Sequence, residues 1–299
     1  MQFKKIVAAA LLAIVTLLMG AVAPATASAA SNKPIIVGSK SIPESKTVSE
    51  IYAIALEHAG YKVIRKQNIS NSVVYRAVKT GQVDVYPEYT GTIVTAYLKK
   101  NGQGKSAAQM ASLARKGVAK DGLTTFNYAP DDNRQGVGIR TSVAKKYHIK
   151  DLSDLQKQAG KIRFASQGEF EKRPDALPAM NKAYGKFNFK SIKDYDANLL
   201  YKIMAQGKAD AAPVSTTDGQ LATSKFQLVK DNKNIWPPYN LVPLANKQAV
   251  KRYPKMEKTL NKVDAKLTTK TVTQLNKEVG VDGQNYRTVA QNWYNKNMK

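Results

Sequence analysis

Short apolar segments alternate along the chain with segments whose apolar residues recur every three or four positions. Pro34–Gly38 is a compact apolar run, whereas Ser41–Ala59 carries Val48, Ile51 and Ala55 at helical spacing. The pattern predicts strands at Pro34–Gly38, Tyr61–Ile64, Val83–Tyr86, Gly136–Ile139, Ile162–Ala165 and Ala209–Pro213, with helices between them at Ser41–Ala59, Ser72–Thr80, from Val143 and from Asp196 to Gln206. Such alternation is typical of an α/β fold with mainly parallel strands.

One ten-residue pattern occurs twice, each time after a predicted helix. Gly81–Thr90 and Gly207–Thr216 both read G-x-x-D-x-x-P-x-x-T. Each copy predicts a helix stop, a strand and a loop at the carboxyl end of that strand, where open α/β sheets bind ligands. Two such loops, one in each of two lobes, would face each other across a cleft.

The N-terminus has the pattern of an export signal. Lys4 and Lys5 precede the apolar run Ile6–Met19, and Ala21–Ala30 is rich in small residues. We predict a signal peptide over residues 1–30, because the apolar run is shorter than a membrane-spanning helix needs. Cysteine is absent, so a lipid anchor on cysteine is excluded. The predicted location is extracellular or in the cell envelope, or periplasmic in a Gram-negative cell.

The formal net charge is +25, with lysines spread along the chain rather than clustered. Export argues against a nucleic-acid partner. Diffuse attraction to anionic envelope polymers and a merely solvated lysine-rich surface both stay open.

The sequence offers no recognisable catalytic or cofactor motif. His58 and His148 stand far apart, and no metal-ligand spacing, nucleophile elbow or phosphate-binding loop occurs. We therefore expect no enzyme activity, no cofactor and no metal. A secreted enzyme on the same two-lobed scaffold remains the rival interpretation.

Several motifs together resemble the solute-binding proteins of osmoprotectant ABC importers, which take up glycine betaine, choline and carnitine. They are GSKSIPES at Gly38–Ser45, YPEYTGT at Tyr86–Thr92, TTDG at Thr216–Gly219 and WPPYNLVP at Trp236–Pro243. The resemblance implies a type II periplasmic-binding-protein-like fold, in which two α/β lobes joined by two crossover strands enclose a ligand cleft. Lobe I would comprise residues 34–132 and 242–299, and lobe II residues 133–241.

The resemblance also implies a binding site in the cleft. In that family aromatic rings surround the quaternary ammonium group, and basic and hydroxyl groups hold a ligand carboxylate. The matching positions of this chain are Lys40, Tyr89, Thr92, Gln135, Arg173, Ser215 and Tyr239. Gln135 and Ser215 depart from the family, because aromatic residues are usual there. We therefore expect a solute that is bulkier or more polar than glycine betaine.

The expected partners are this small solute and an ABC permease, with the protein itself a monomer. Capture by hinge closure near Asp132–Gln135 and Tyr239–Val242 would precede delivery. The alternative is a secreted, cell-wall-associated binding or adhesive protein with the same fold and no transport role.

Overall fold

The computed structural model describes residues 33–298, and the predicted signal peptide lies outside them. The strands are β1 (Ile35–Lys40), β2 (Val63–Ile69), β3 (Val85–Tyr89), β4 (Leu123–Thr125), β5 (Gln135–Arg140), β6 (Arg163–Ser166), β7 (Ser191–Asp194), β8 (Ala211–Ser215), β9 (Phe226–Val229) and β10 (Leu241–Asn246). The predicted strands are all present, displaced by up to a few residues at their ends.

The helices follow the predicted alternation. They are α1 (Pro43–His58), α2 (Asn71–Lys79), α3 (Thr90–Thr92), α4 (Ala107–Val118), α5 (Thr141–Tyr147), α6 (Leu152–Gln158), α7 (Leu177–Tyr184), α8 (Leu200–Ala205), α9 (Lys247–Arg252), α10 (Met256–Asp264), α11 (Thr269–Gly280) and α12 (Tyr286–Asn297). A π-helical turn, Ile93–Tyr97, continues α3, and 3₁₀ turns occur at Ala119–Asp121, Ala159–Lys161, Ala197–Leu199 and Gly219–Ala222. Along residues 33–298, none of these helices has the length and apolar character that a membrane crossing needs.

The strands form two five-stranded sheets, one in each lobe. The first has the order β2-β1-β3-β10-β4 and the second β7-β6-β8-β5-β9. Apolar clusters cover both faces of each sheet, so each lobe has helices packed on two sides. The two-lobed α/β architecture predicted from the sequence is confirmed, whereas the exact residue limits of the lobes stay a prediction.

Four of the five strands in each sheet run in the same direction, so the prediction of mainly parallel strands is confirmed, with one reversed strand in each sheet. β1 runs parallel to β2 and β3, and β6 runs parallel to β7 and β8. In contrast, β10 is antiparallel to β3 and β4, and β5 is antiparallel to β8 and β9. The reason is topological, because β5 and β10 enter their sheets directly from the other lobe rather than through a βαβ crossover.

Two crossover segments, residues 126–134 and 230–240, connect the lobes. They run antiparallel and are joined by backbone hydrogen bonds from Ala129 N to Leu241 O (2.8 Å) and from Asn133 N to Tyr239 O (2.9 Å). Aspartates of the first segment reinforce this pairing, because Asp131 Oδ1 accepts from Leu241 N (2.8 Å) and Asp132 Oδ1 from Tyr239 N (2.9 Å). The crossovers therefore form one hydrogen-bonded ribbon.

Candidate functional site

A cleft of about 700 Å³ adjoins the ribbon. Thr95 and Lys100 line it from the first lobe, and Gln135, Arg173 and Ser215 from the second. This volume lies within the range of small-molecule sites. Four predicted site residues line the cleft together, namely Gln135, Arg173, Ser215 and Tyr239.

Sheet register explains why two of these residues are neighbours. Gln135 begins β5, Ser215 ends β8, and the two are paired across the antiparallel ladder. Arg173 lies in the loop after β6, which runs parallel to β8. These side chains therefore gather at the edge of the second sheet where its parallel strands have their carboxyl ends.

Arg173 is held in a network along this wall. Its Nε and Nη2 donate to the two carboxylate oxygens of Asp175 at 3.0 and 2.6 Å, and Nη2 also donates to Gln135 Oε1 at 3.1 Å. Gln135 Nε2 and Trp236 Nε1 both donate to the backbone oxygen of Asp175. The hydrogen bond from Arg173 and its charge lower the pKa of Asp175, so this carboxyl is the counter-ion of the arginine.

Tyr239 lies on the second crossover, against the glycine of the TGT sequence. A Cβ atom at Gly91 would approach the ring to 2.3 Å, so only glycine leaves room for the ring in this position. The Tyr239 hydroxyl lies 3.2 Å from Thr95 Oγ1. Trp236, the first residue of the WPPYNLVP motif, belongs to the second lobe's core and also lines the cleft.

Lys40, Tyr89 and Thr92 are not among the residues that line the cleft. Lys40 is buried and forms an ion pair with Glu88. The Tyr89 hydroxyl donates to Glu44 Oε1 at 2.6 Å. Burial and the charge of Glu44 raise the pKa of Tyr89 well above its ordinary value, so the hydroxyl keeps its proton. Solute contact by these three residues stays a prediction.

Glu44, near the start of α1, connects both lobes and the ribbon. Its Oε1 accepts from Tyr89 and from Asn133 Nδ2 (2.9 Å), and its Oε2 accepts from Thr217 Oγ1 (2.8 Å) and Asn276 Nδ2 (2.5 Å). Four neutral donors thus satisfy one buried carboxyl group. The sequence interpretation missed this residue, because its partners lie 45 to 232 positions away.

Asp218 and Tyr201 also line the cleft and were missed as site residues. Asp218 belongs to the TTDG motif, which carried the only sequence signal for it. Tyr201 Oη donates to Asp218 Oδ2 at 3.0 Å, and Ser215 N donates to the same oxygen at 3.0 Å. Burial raises the pKa of Asp218 to about 6, against the lowering effect of these two donors.

Two α/β lobes, a hydrogen-bonded crossover ribbon and a cleft lined with aromatic and charged side chains define a solute-binding protein of the two-lobed class. Residues 33–296 match the family described as the substrate-binding domain of ABC-type glycine betaine transport systems. The chain belongs to this family and is a substrate-binding component of an ABC importer, a kind of protein that works outside the cytoplasm.

Individual relatives agree with this assignment. The glycine betaine-binding protein YehZ of Escherichia coli is 30% identical over 86% of this chain and 88% of its own. A structure titled glycine betaine/carnitine/choline ABC transporter is 26% identical, with a TM-score of 0.82 over 88% of this chain and 98% of that chain. The ergothioneine transport permease/ergothioneine binding protein EgtU of Helicobacter pylori is 29% identical over 89% of this chain and 48% of its own length.

Proposed function

We propose that the protein captures a small solute with a trimethylammonium group and a carboxylate, closes on it by hinge motion and delivers it to a membrane permease. The observation that carries the proposal is the joint presence of Arg173 and the aromatic residues Tyr201, Trp236 and Tyr239 in one cleft. Aromatic faces attract an alkylated cation, and the guanidinium group binds a carboxylate through charge-assisted hydrogen bonds.

The preferred solute is bulkier than glycine betaine. Gln135 and Ser215 supply hydrogen-bonding groups where the family resemblance implies rings, and the cleft of about 700 Å³ exceeds what glycine betaine fills. Ergothioneine, named for the Helicobacter pylori relative, is a trimethylammonium betaine that also carries a ring. It meets the requirement for a larger solute with its own polar groups.

Calorimetry with glycine betaine, carnitine, choline and ergothioneine tests the proposal. Arg173→Ala should weaken carboxylate-bearing solutes by about 1.5–3 kcal/mol and choline by much less. The matched control is Arg115→Ala on α4, an exposed arginine outside the cleft that should leave all affinities unchanged. Absence of binding by all four solutes, or equal losses for choline and the betaines, would contradict it.

The proposal also assigns Lys40, Tyr89 and Thr92 to the solute after closure. β3 ends at Tyr89 and Thr92 follows in α3, at the carboxyl end of a central strand of the first sheet. Lys40 ends β1 beside that strand, and its Nζ lies 5.3 Å from the centre of the Tyr89 ring. Closed, solute-bound crystals showing none of the three within contact distance would remove them from the site.

Further features complete the proposal. The protein is exported by a signal peptide over residues 1–30 and has no lipid anchor. It acts as a monomer and has no enzyme activity. Its charge of +25 attracts it to anionic envelope polymers. Mass spectrometry of exported protein should find a mature end near Ala30 or Ser31. An intact Met1 end would contradict the processing step, and turnover of a bound solute would contradict the absence of enzyme activity.

A further inference from the structure

The two oxygens of the Asp218 carboxyl group have different surroundings. Oδ2 accepts two hydrogen bonds, from Ser215 N and Tyr201 Oη, both at 3.0 Å. No residue between 33 and 298 donates to Oδ1 or forms an ion pair with Asp218. The side chain is partly buried and lines the cleft. The protein therefore fixes the position of this carboxylate and leaves one of its oxygens available.

The small side chain at position 215 matters for access to this group. Ser215 and Asp218 belong to one turn, in which Asp218 N donates to Ser215 O at 3.0 Å. A hydroxymethyl side chain at 215 covers less of the turn than the aromatic ring that the family resemblance implies there. The family resemblance therefore implies the loss of a cation–π face next to a carboxylate that lines the cleft.

The second acid in the cleft, Asp175, differs from Asp218 in having its own cation. Both of its oxygens accept hydrogen bonds from Arg173, so that pair is neutral as a unit. Asp218 carries an uncompensated charge when ionised, and the attraction between opposite charges is stronger in a partly buried cleft than in water. A cation in the cleft therefore gains more from Asp218 than from Asp175.

We propose that Asp218 forms the cation subsite of the cleft, binding the ammonium group of the solute in place of the aromatic rings absent at Gln135 and Ser215. Tyr201 positions the carboxylate through its hydroxyl group. The inference rests on the function proposed above and adds the group that recognises the solute's positive charge. It predicts selection by charge as well as by aromatic contact.

The test compares cations with uncharged isosteres of the same shape. Choline is paired with 3,3-dimethylbutan-1-ol, and glycine betaine with 3,3-dimethylbutanoate, in which carbon replaces the ammonium nitrogen. Asp218→Asn keeps an oxygen that can accept from Ser215 N and Tyr201 Oη, so the turn is retained. We expect calorimetry to show about 10- to 100-fold weaker binding of the cations. Binding of the isosteres should be unchanged.

Asp194→Asn serves as the matched control, because it removes an exposed carboxylate of the same lobe that does not line the cleft. It should leave choline affinity within about threefold of the wild type. Unchanged cation affinity in Asp218→Asn, or equal losses for cations and isosteres, would overturn the subsite while leaving the proposed function intact. If the wild type binds only carnitine or ergothioneine, an unchanged affinity of Asp218→Asn for that solute would overturn the subsite. A wild-type protein that binds none of the four solutes would overturn both.

A pH series gives an independent readout. The groups facing Asp218 are Tyr201 and, across the lobe junction, Glu44, whose charge adds to burial in raising the pKa of Asp218 to about 6. Arg173, Asp175 and Lys100 line the same cleft. Below pH 6 the carboxyl group becomes neutral and its attraction for a cation is lost. Wild-type choline affinity should fall about tenfold from pH 7.5 to pH 5, and that of Asp218→Asn should stay level. Parallel declines would overturn the assignment.

Discussion

The repeated aspartates, Asp84 and Asp210, occupy equivalent places in the two lobes. Asp84 N donates to Ile36 O and Asp210 N to Arg163 O, both at 2.8 Å. In return, the Oδ2 atoms accept from the amides of Ile36 (2.8 Å) and Arg163 (3.0 Å). Each aspartate thus links the start of its own central strand to the start of the neighbouring parallel strand.

Their charge environments nevertheless differ. Burial opposes ionisation of Asp210, but hydrogen bonds from Arg163 and Arg140 outweigh it and lower its pKa to about 2. Within residues 33–298 the ion pair of Asp84 is with Arg252, 3.9 Å away, and burial raises the pKa of Asp84. The repeat therefore encodes a backbone framework shared by the lobes, while unrelated side chains decide the electrostatics of each copy.

The largest effect should come from removing the charge of Asp210, with the same change at Asp84 for comparison. Asp210→Asn leaves Arg140 and Arg163 close together without a counter-ion and should lower the free energy of unfolding by about 2–4 kcal/mol. Asp84→Asn keeps an acceptor for Ile36 N and should change it by less than about 1 kcal/mol. Urea denaturation followed by circular dichroism measures both. Equal losses of unfolding free energy in the two variants would show that Arg140 and Arg163 do not make Asp210 more important for stability than Asp84.

The residue directly after each repeat extends the comparison to binding. In the first lobe it is Gly91, which packs against the Tyr239 ring. Gly91→Ala should displace this ring and weaken solute binding by about 1.5–3 kcal/mol. Calorimetry with the tightest solute measures the change, and Gly160→Ala, where an added Cβ meets nothing closer than 3.8 Å, is a control outside the cleft. Retained affinity would show that Tyr239 does not need its present position.

The corresponding residue of the second lobe is Thr217, which donates to Glu44. Thr217→Val keeps the shape but removes this hydrogen bond between buried groups, which should cost about 1–2 kcal/mol of unfolding free energy. Thr80→Val, on an exposed helix end, is the matched control. A loss of affinity without a loss of stability would indicate that Thr217 contacts the solute instead.

The smallest effect concerns pH. The pKa of Asp84 is raised in the folded state, so its contribution favours folding at low pH and is lost as pH rises through the folded pKa. Any gain in stability of Asp84→Asn at pH 7 should therefore vanish by about pH 4. For Asp210 the deficit of the asparagine variant should persist from pH 7 to about 4 and shrink only toward its pKa of about 2. Denaturant titrations at several pH values measure the stability difference between each asparagine variant and the wild type. The same pH dependence for both variants would contradict this contrast.

Local patterns predicted the elements of the fold well, because neighbouring residues determine both the spacing of apolar positions and the residue at which a helix ends. Gly81 and Gly207 end their helices with positive φ (74° and 71°), as the repeat indicated. The reversed direction of β5 and β10 could not be predicted in this way. It depends on where these two strands enter their sheets after crossing between lobes, which neighbouring residues do not determine.

The site was predictable where motifs fix a residue at a strand end or in a connecting loop. Gln135, Arg173, Ser215 and Tyr239 line the cleft for that reason. The surroundings of Lys40 were not predictable, because its partner Glu88 is 48 positions away. Asp218 was not predicted as a site residue for a related reason, because its role depends on Tyr201, which belongs to another element.

The ribbon formed by the two crossovers limits how the lobes can move. Because Ala129 and Asn133 are hydrogen-bonded to Leu241 and Tyr239, one crossover cannot slide past the other without breaking these bonds. The two hydrogen-bonded crossover segments instead bend or twist together as one unit. Spin labels across the cleft should therefore report concerted rotation between a few discrete separations. The amides of Ala129 and Asn133 should exchange slowly with deuterated solvent in both the open and the closed state.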